Sequence, residues 1–96
     1  MTNQLSDFGF TVNPETTASI HDDGIVILHT GSGRLYASDE TGARIWRGVE
    51  QQLPLEAIAE EISGEFQITD STAREYVVNF LAELERHALI QREVGL

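Results

Sequence analysis

Ninety-six residues make one domain with a modest core, and sixteen acids against six arginines leave a net charge of −10. That balance disfavours nucleic acid, whose phosphates repel such a chain at long range, and suits a basic or neutral partner; a solvated acidic surface that keeps a small domain soluble fits it equally well. The absence of cysteine excludes disulfides, thiolate zinc sites and cysteine nucleophiles.

No apolar run approaches the roughly 20 residues of a membrane span. The first residues, MTNQLSDFGF, carry neither basic residues nor a long apolar stretch, so no signal peptide is expected and a cytoplasmic location is the default. Residues 1–9, polar apart from Leu5 and Phe8, read as a flexible lead-in to a single domain over 10–96.

Phe10 to Asn13 suits a strand that stops before Pro14. Thr17 to His21 alternates like a half-buried strand, and Asp22-Asp23-Gly24 supplies turn chemistry. The β-branched run from Ile25 to Thr30 is the next strand. Gly31-Ser32-Gly33 allows a tight reversal through positive φ, and Arg34 to Ser38 extends again. The first 38 residues therefore predict a small antiparallel sheet of three or four strands.

From Asp39 the apolar period changes from two to about 3.6. Asp39 can cap a helix near 40–49, Glu40 suits its positive end, and Ile45, Trp46 and Val49 give it an apolar stripe. Pro54 fits the first turn of a second helix near 55–64, with Leu55, Ile58, Ala59 and Ile62 inward and Gly64 as its stop. Thr69 or Asp70 can cap a third helix near 70–87, on which Ala73, Val77, Phe80, Leu81 and Leu84 recur at three and four. Leu89 and Ile90 form a short extended tail. The fold class is α+β, with a winged helix-turn-helix order of small sheet first and three helices after it.

No pattern with a catalytic mechanism is present. His21, His29 and His87 stand apart, the Glu83–His87 pair is a lone helical i, i+4 contact, and neither HExxH, GxSxG nor a phosphate loop occurs. No enzyme activity, metal or cofactor is expected. A winged fold often reads DNA, yet the third helix offers only Arg74, Asn79 and Arg86 to base edges, amid Glu75, Glu83 and Glu85.

Ile27-Leu28, Gly33, Tyr36, Asp39, Gly42, Ile45-Trp46, Leu55 to Ala59, Val77, Phe80-Leu81, Leu84 and Leu89-Ile90, in that order, resemble the PqqD family. That family is also called the precursor-peptide recognition element of ribosomally made, post-translationally modified peptides. The resemblance spans residues 17–92, and the wording around TGSGRLY and TGARIW looks closest to stand-alone elements of lasso-peptide pathways. Ser38 stands where the family has Leu, Asp39 where it has Asn, Gln51 where it has Gly, Pro54 where it has a Ser or Thr cap, and Tyr76 where it is acidic.

The resemblance implies a non-catalytic adaptor that binds a leader peptide by strand addition beside a helix, then presents it to an enzyme. The enzyme would be a leader peptidase with a downstream macrolactam-forming cyclase, or a radical S-adenosylmethionine enzyme. The implied edge strand is Arg34, Leu35, Tyr36, Ala37 and Ser38, and the helical wall is drawn from Arg74, Tyr76, Val77, Phe80, Leu81 and Glu83. Which of these wall residues enter the groove stays open, since neighbours at three and four cannot all face one way. Tyr36 suits core and groove alike. Arg34 suits either an edge guard or a ligand for leader acids. Trp46 reads as core. The other class of function is a winged-helix regulator or a general protein-interaction module.

The charge balance yields one direct expectation. In a gel-shift assay at physiological salt the purified protein should leave duplex DNA unshifted, because few cations are available to replace phosphate counterions. Salt-sensitive, sub-micromolar binding would contradict it.

Overall fold

A computed structural model describes residues 9–93. The expectation of a flexible lead-in falls outside them except at Gly9, which already belongs to a strand. The chain runs β1 (Gly9–Val12), β2 (Thr16–His21), β3 (Gly24–His29), β4 (Arg34–Ser38), α1 (Glu40–Glu50), α2 (Leu55–Phe66), α3 (Asp70–Arg86) and β5 (Ile90–Glu93). It is an α+β fold. No helix among the described residues is long and apolar enough to cross a membrane.

The strands form two sheets, which corrects the single N-terminal sheet expected from the sequence. β2, β3 and β4 make an antiparallel meander in that order, whereas β1 pairs antiparallel with β5, Phe10 opposite Arg92 and Val12 opposite Ile90. The extended tail is thus a strand. Asn13 holds this arrangement. Its backbone N–H donates to the Leu89 carbonyl at 3.0 Å, its side-chain amide donates to the Ala88 carbonyl at 2.7 Å, and its Oδ1 accepts from the Glu15 N–H. The chain leaves β1 through that turn and enters the other sheet.

The meander hides one face. Ile25 and Ile27 lie opposite Ser38 and Tyr36 and are buried, while Val26 and Leu28 lie opposite Ala37 and Leu35 on the outer face. Leu35 is 67% exposed. Gly33, at φ 74°, makes the turn between β3 and β4 as its sequence suggested.

The helices start where capping chemistry allows. Asp39 accepts from the Gly42 N–H at 3.0 Å and Thr69 from the Thr72 N–H at 3.2 Å. Pro54 sits at the cap position itself, and its carbonyl accepts from Ala57 and Ile58. α2 runs past Gly64 to Phe66, which packs against the core, and ends at Gln67 in the left-handed conformation. Apolar packing of Phe66 outweighs the glycine's weak preference to stop. Ile45, Trp46 and Val49 from α1, Ile58 and Ile62 from α2, and Val77, Leu81 and Leu84 from α3 meet Ile25 and Ile27 in one core. Trp46 is 1% exposed, as expected.

Ile58 fills the space left by Gly48, where an added Cβ would lie 2.7 Å from its Cγ1. Ile58→Ala should therefore open a cavity between α1 and α2 and cost about 2–5 kcal/mol, seen as a lower urea midpoint with an unchanged slope.

Candidate functional site: an open strand edge beside a helix

β4 is an edge strand. One side pairs with β3, and no strand among the described residues pairs with the other. Its free N–H and C=O groups are therefore available for another chain.

α3 flanks that edge and runs antiparallel to it, as three contacts establish. The Tyr76 hydroxyl lies 3.4 Å from Asp39 Oδ2, at the long end for such a bond. Phe80 approaches the β4–α1 corner: a Cβ placed on Gly42 would lie 2.7 Å from Ser38 Cβ and 3.0 Å from Phe80 Cζ. The rings of Tyr36 and His87 are 4.8 Å apart, tilted by 42°. Along α3 the contacts advance from 76 to 87 while along the strand they retreat from 39 to 36.

On this flank of α3 lies a hollow of ≈ 320 Å³ lined by Tyr76, Asn79, Phe80 and Glu83. Their spacing of three and four puts all on one stripe of the helix, beside the buried stripe of Ala73, Val77, Leu81 and Leu84. Tyr76 remains 39% exposed and Phe80 is half-buried. Two aromatic faces with an amide and a carboxylate between them form a surface that accepts apolar side chains and offers polar partners at its rim.

The structure divides the wall residues expected from the sequence. Tyr76, Phe80 and Glu83 line the hollow. Val77 and Leu81, at 0% and 2% exposure, belong to the core and support it from beneath. Arg74 turns the other way: it pairs with Glu56 and lines a separate hollow with Ala59, Glu60, Asp70 and Ser71 between α2 and α3. Arg86 pairs with Glu83, so both arginines of α3 are engaged by glutamates. On the strand, Arg34, Tyr36 and Ser38 share the helix-facing side, Leu35 and Ala37 the outer one. Asn79 and His87 were not anticipated as site residues. The signal was available, since both fall on the Tyr76–Phe80–Glu83 stripe.

Two titrating groups report on this surface. Burial, the Asp39 charge and the hydrogen bond to Asp39 hold the Tyr76 phenol above its ordinary 10.0. The Arg86 hydrogen bond holds the Glu83 carboxyl below its usual value, with His87, 3.4 Å away, adding in the same sense.

An open sheet edge with a helical stripe across a hollow is the layout of a module that can take up a peptide as an added strand. The chain belongs to the PqqD family: residues 24–90 match the family described as coenzyme PQQ synthesis protein D (PqqD). Its fold is similar to that of TbiB1, solved in complex with the TbiA(beta) leader peptide. The TM-score is 0.78 at 26% identity, over 84% of this chain and 94% of that one. A lasso peptide synthetase B1, complexed with the leader peptide, has the same fold with a TM-score of 0.78 at 20% identity, over 85% and 96%. A search of curated proteins finds no match.

Asp39→Asn should keep the cap on α1, because Asn caps as well as Asp, while removing the charge beside Tyr76. The Tyr76 phenol should then ionise at lower pH, read as phenolate absorbance in an alkaline titration. In the native protein the raised value means that the stability linked to this phenol is intact below about pH 10 and is lost as pH climbs through the folded-state value. An unchanged titration in the variant would show that the carboxylate does not act on the phenol.

Proposed function

We propose that this chain is a non-catalytic adaptor that captures the leader segment of a ribosomally made precursor peptide and presents it to a processing or modifying enzyme. The observation that carries this reading is the unpaired edge of β4 facing the Tyr76–Phe80–Glu83 stripe. The leader adds as a fourth strand to β2–β3–β4. Its backbone pairs with β4, and every second side chain enters the hollow. Membership of the PqqD family and the likeness to a leader-bound TbiB1 support the same reading.

The energetics suit a transient carrier. Ordering a disordered leader costs about 2–5 kcal/mol, which strand hydrogen bonds and two or three apolar anchors, at about 25 cal/mol per Å², offset. Micromolar or tighter affinity, about −8 kcal/mol, results. The adaptor contributes positioning and no chemistry of its own. The lasso-type wording of the β3–β4 turn favours a leader peptidase, with a macrolactam-forming cyclase downstream, over a radical S-adenosylmethionine enzyme. Capture of a newly made precursor would take place in the cytoplasm.

The test is a titration with the leader segment of a candidate precursor peptide, followed by amide shifts in NMR. Shifts should concentrate on Arg34 to Ser38 and on the Tyr76–His87 stripe. Ala37→Pro should weaken binding at least tenfold by distorting the edge, and Phe80→Ala should weaken it by removing the floor of the hollow. Val77 is unsuited to such a test, because a charge at a fully buried position unfolds the domain. Saturating leader that shifts only residues elsewhere would overturn the assignment.

A further inference from the structure

Four of the six arginines are paired within the fold: Arg44 with Glu65, Arg74 with Glu56, Arg86 with Glu83 and Arg92 with Glu85. Arg34, like Arg47, has no such ion pair among the described residues, although acids outnumber arginines by sixteen to six. It stands at the start of the open edge, opposite His29, and shares the helix-facing side of β4 with Tyr36 and Ser38. The other end of the edge has the opposite sign. Asp39 and Glu40 follow Ser38 directly, with one Asp39 oxygen in the α1 cap and the other beside the Tyr76 hydroxyl. Glu83, the acid on the hollow's stripe of α3, is paired with Arg86 and lies beside His87.

Resting on the leader-binding reading above, we propose that the groove is charge-polarised and selects leader strands that carry an acidic side chain two residues after their apolar anchor, with Arg34 as its partner. An antiparallel strand begins beside Ser38 and ends beside Arg34. Its inward side chains lie next to Ser38, Tyr36 and Arg34, at positions i, i+2 and i+4. The middle one lies beside Tyr36, between Phe80 on the Ser38 side and the His87 ring, and is apolar. The last reaches the free guanidinium, which binds a carboxylate through a planar fork. An acid at the first position would face Asp39 and Glu40 and be repelled. Backbone pairing alone leaves strand direction and register weakly determined. The charge gradient fixes both: a reversed or slipped strand takes its acid away from Arg34.

The full-length chain can be panned with a random peptide display library whose members are long enough to span β4. Enriched peptides should alternate and carry Asp or Glu two residues after an aromatic or aliphatic anchor. Replacing that acid by lysine in a synthetic peptide should weaken binding to the native chain about fivefold, the scale of a partly exposed ion pair, and should strengthen binding to Arg34→Glu. The difference should shrink in about 1 M salt, where the screening length is about 3 Å. Equal affinity of the acid and lysine peptides for both proteins would overturn the polarity while leaving the groove intact. Enriched peptides that bind Ala37→Pro as tightly as the native chain would place binding elsewhere, and the groove reading would fall with the proposal.

Discussion

The site depends on the corner where β4 becomes α1. Asp39 closes the strand and caps the helix through one oxygen, while its other oxygen meets the Tyr76 hydroxyl. Gly42, one turn in, lacks the Cβ that would collide with Ser38 Oγ at 2.1 Å and crowd Phe80. These few atoms set the distance between the sheet edge and α3. A larger residue at 42 would push the two apart, and an uncapped corner would leave the strand end unfixed. The close approach of α3 to the end of β4 therefore rests on helix-capping chemistry and on one absent Cβ.

An open strand edge is a hazard that most small proteins remove by pairing or covering it. Here the fold covers only part of it. α3 shields one flank of β4 with a row of aromatic and polar side chains, and five residues keep the strand short. A net charge of −10 adds long-range repulsion between copies. The edge thus stays open while like charge works against self-association at long range.

Much of this was legible in the sequence because it is local. The change of apolar period at Asp39, the Asp39 and Thr69 caps and the glycine turn before β4 depend on residues a few positions apart, and the structure has them in place. The β1–β5 pair was not legible. Asn13 and Ala88 are 75 residues apart, and nothing in either short segment names the other. The end of α2 was misread because Gly64 is only a weak stop where Phe66 has a core to join. The wall of the groove was half legible. Val77 and Leu81 are apolar like Phe80, and only the rotation of the helix, one stripe over, distinguishes residues that support the hollow from residues that line it.

That one-stripe offset also separates two demands on α3. The Ala73–Val77–Leu81–Leu84 stripe carries stability, and a change there disturbs packing against α1, α2 and the sheet. On the neighbouring stripe Tyr76, Asn79 and Glu83 are exposed enough to vary without loss of the core, whereas Phe80 also packs against it. β4 divides in the same way. Its pairing with β3 anchors it, and on the proposed strand addition its outer edge would supply backbone groups indifferent to sequence while its alternate side chains set which peptide fits. Affinity from the backbone and selectivity from a few adjustable side chains can then change independently. On the proposed strand addition, substitutions at Arg34, Tyr76, Asn79 or Glu83 would change the peptide partner while the core stays as it is.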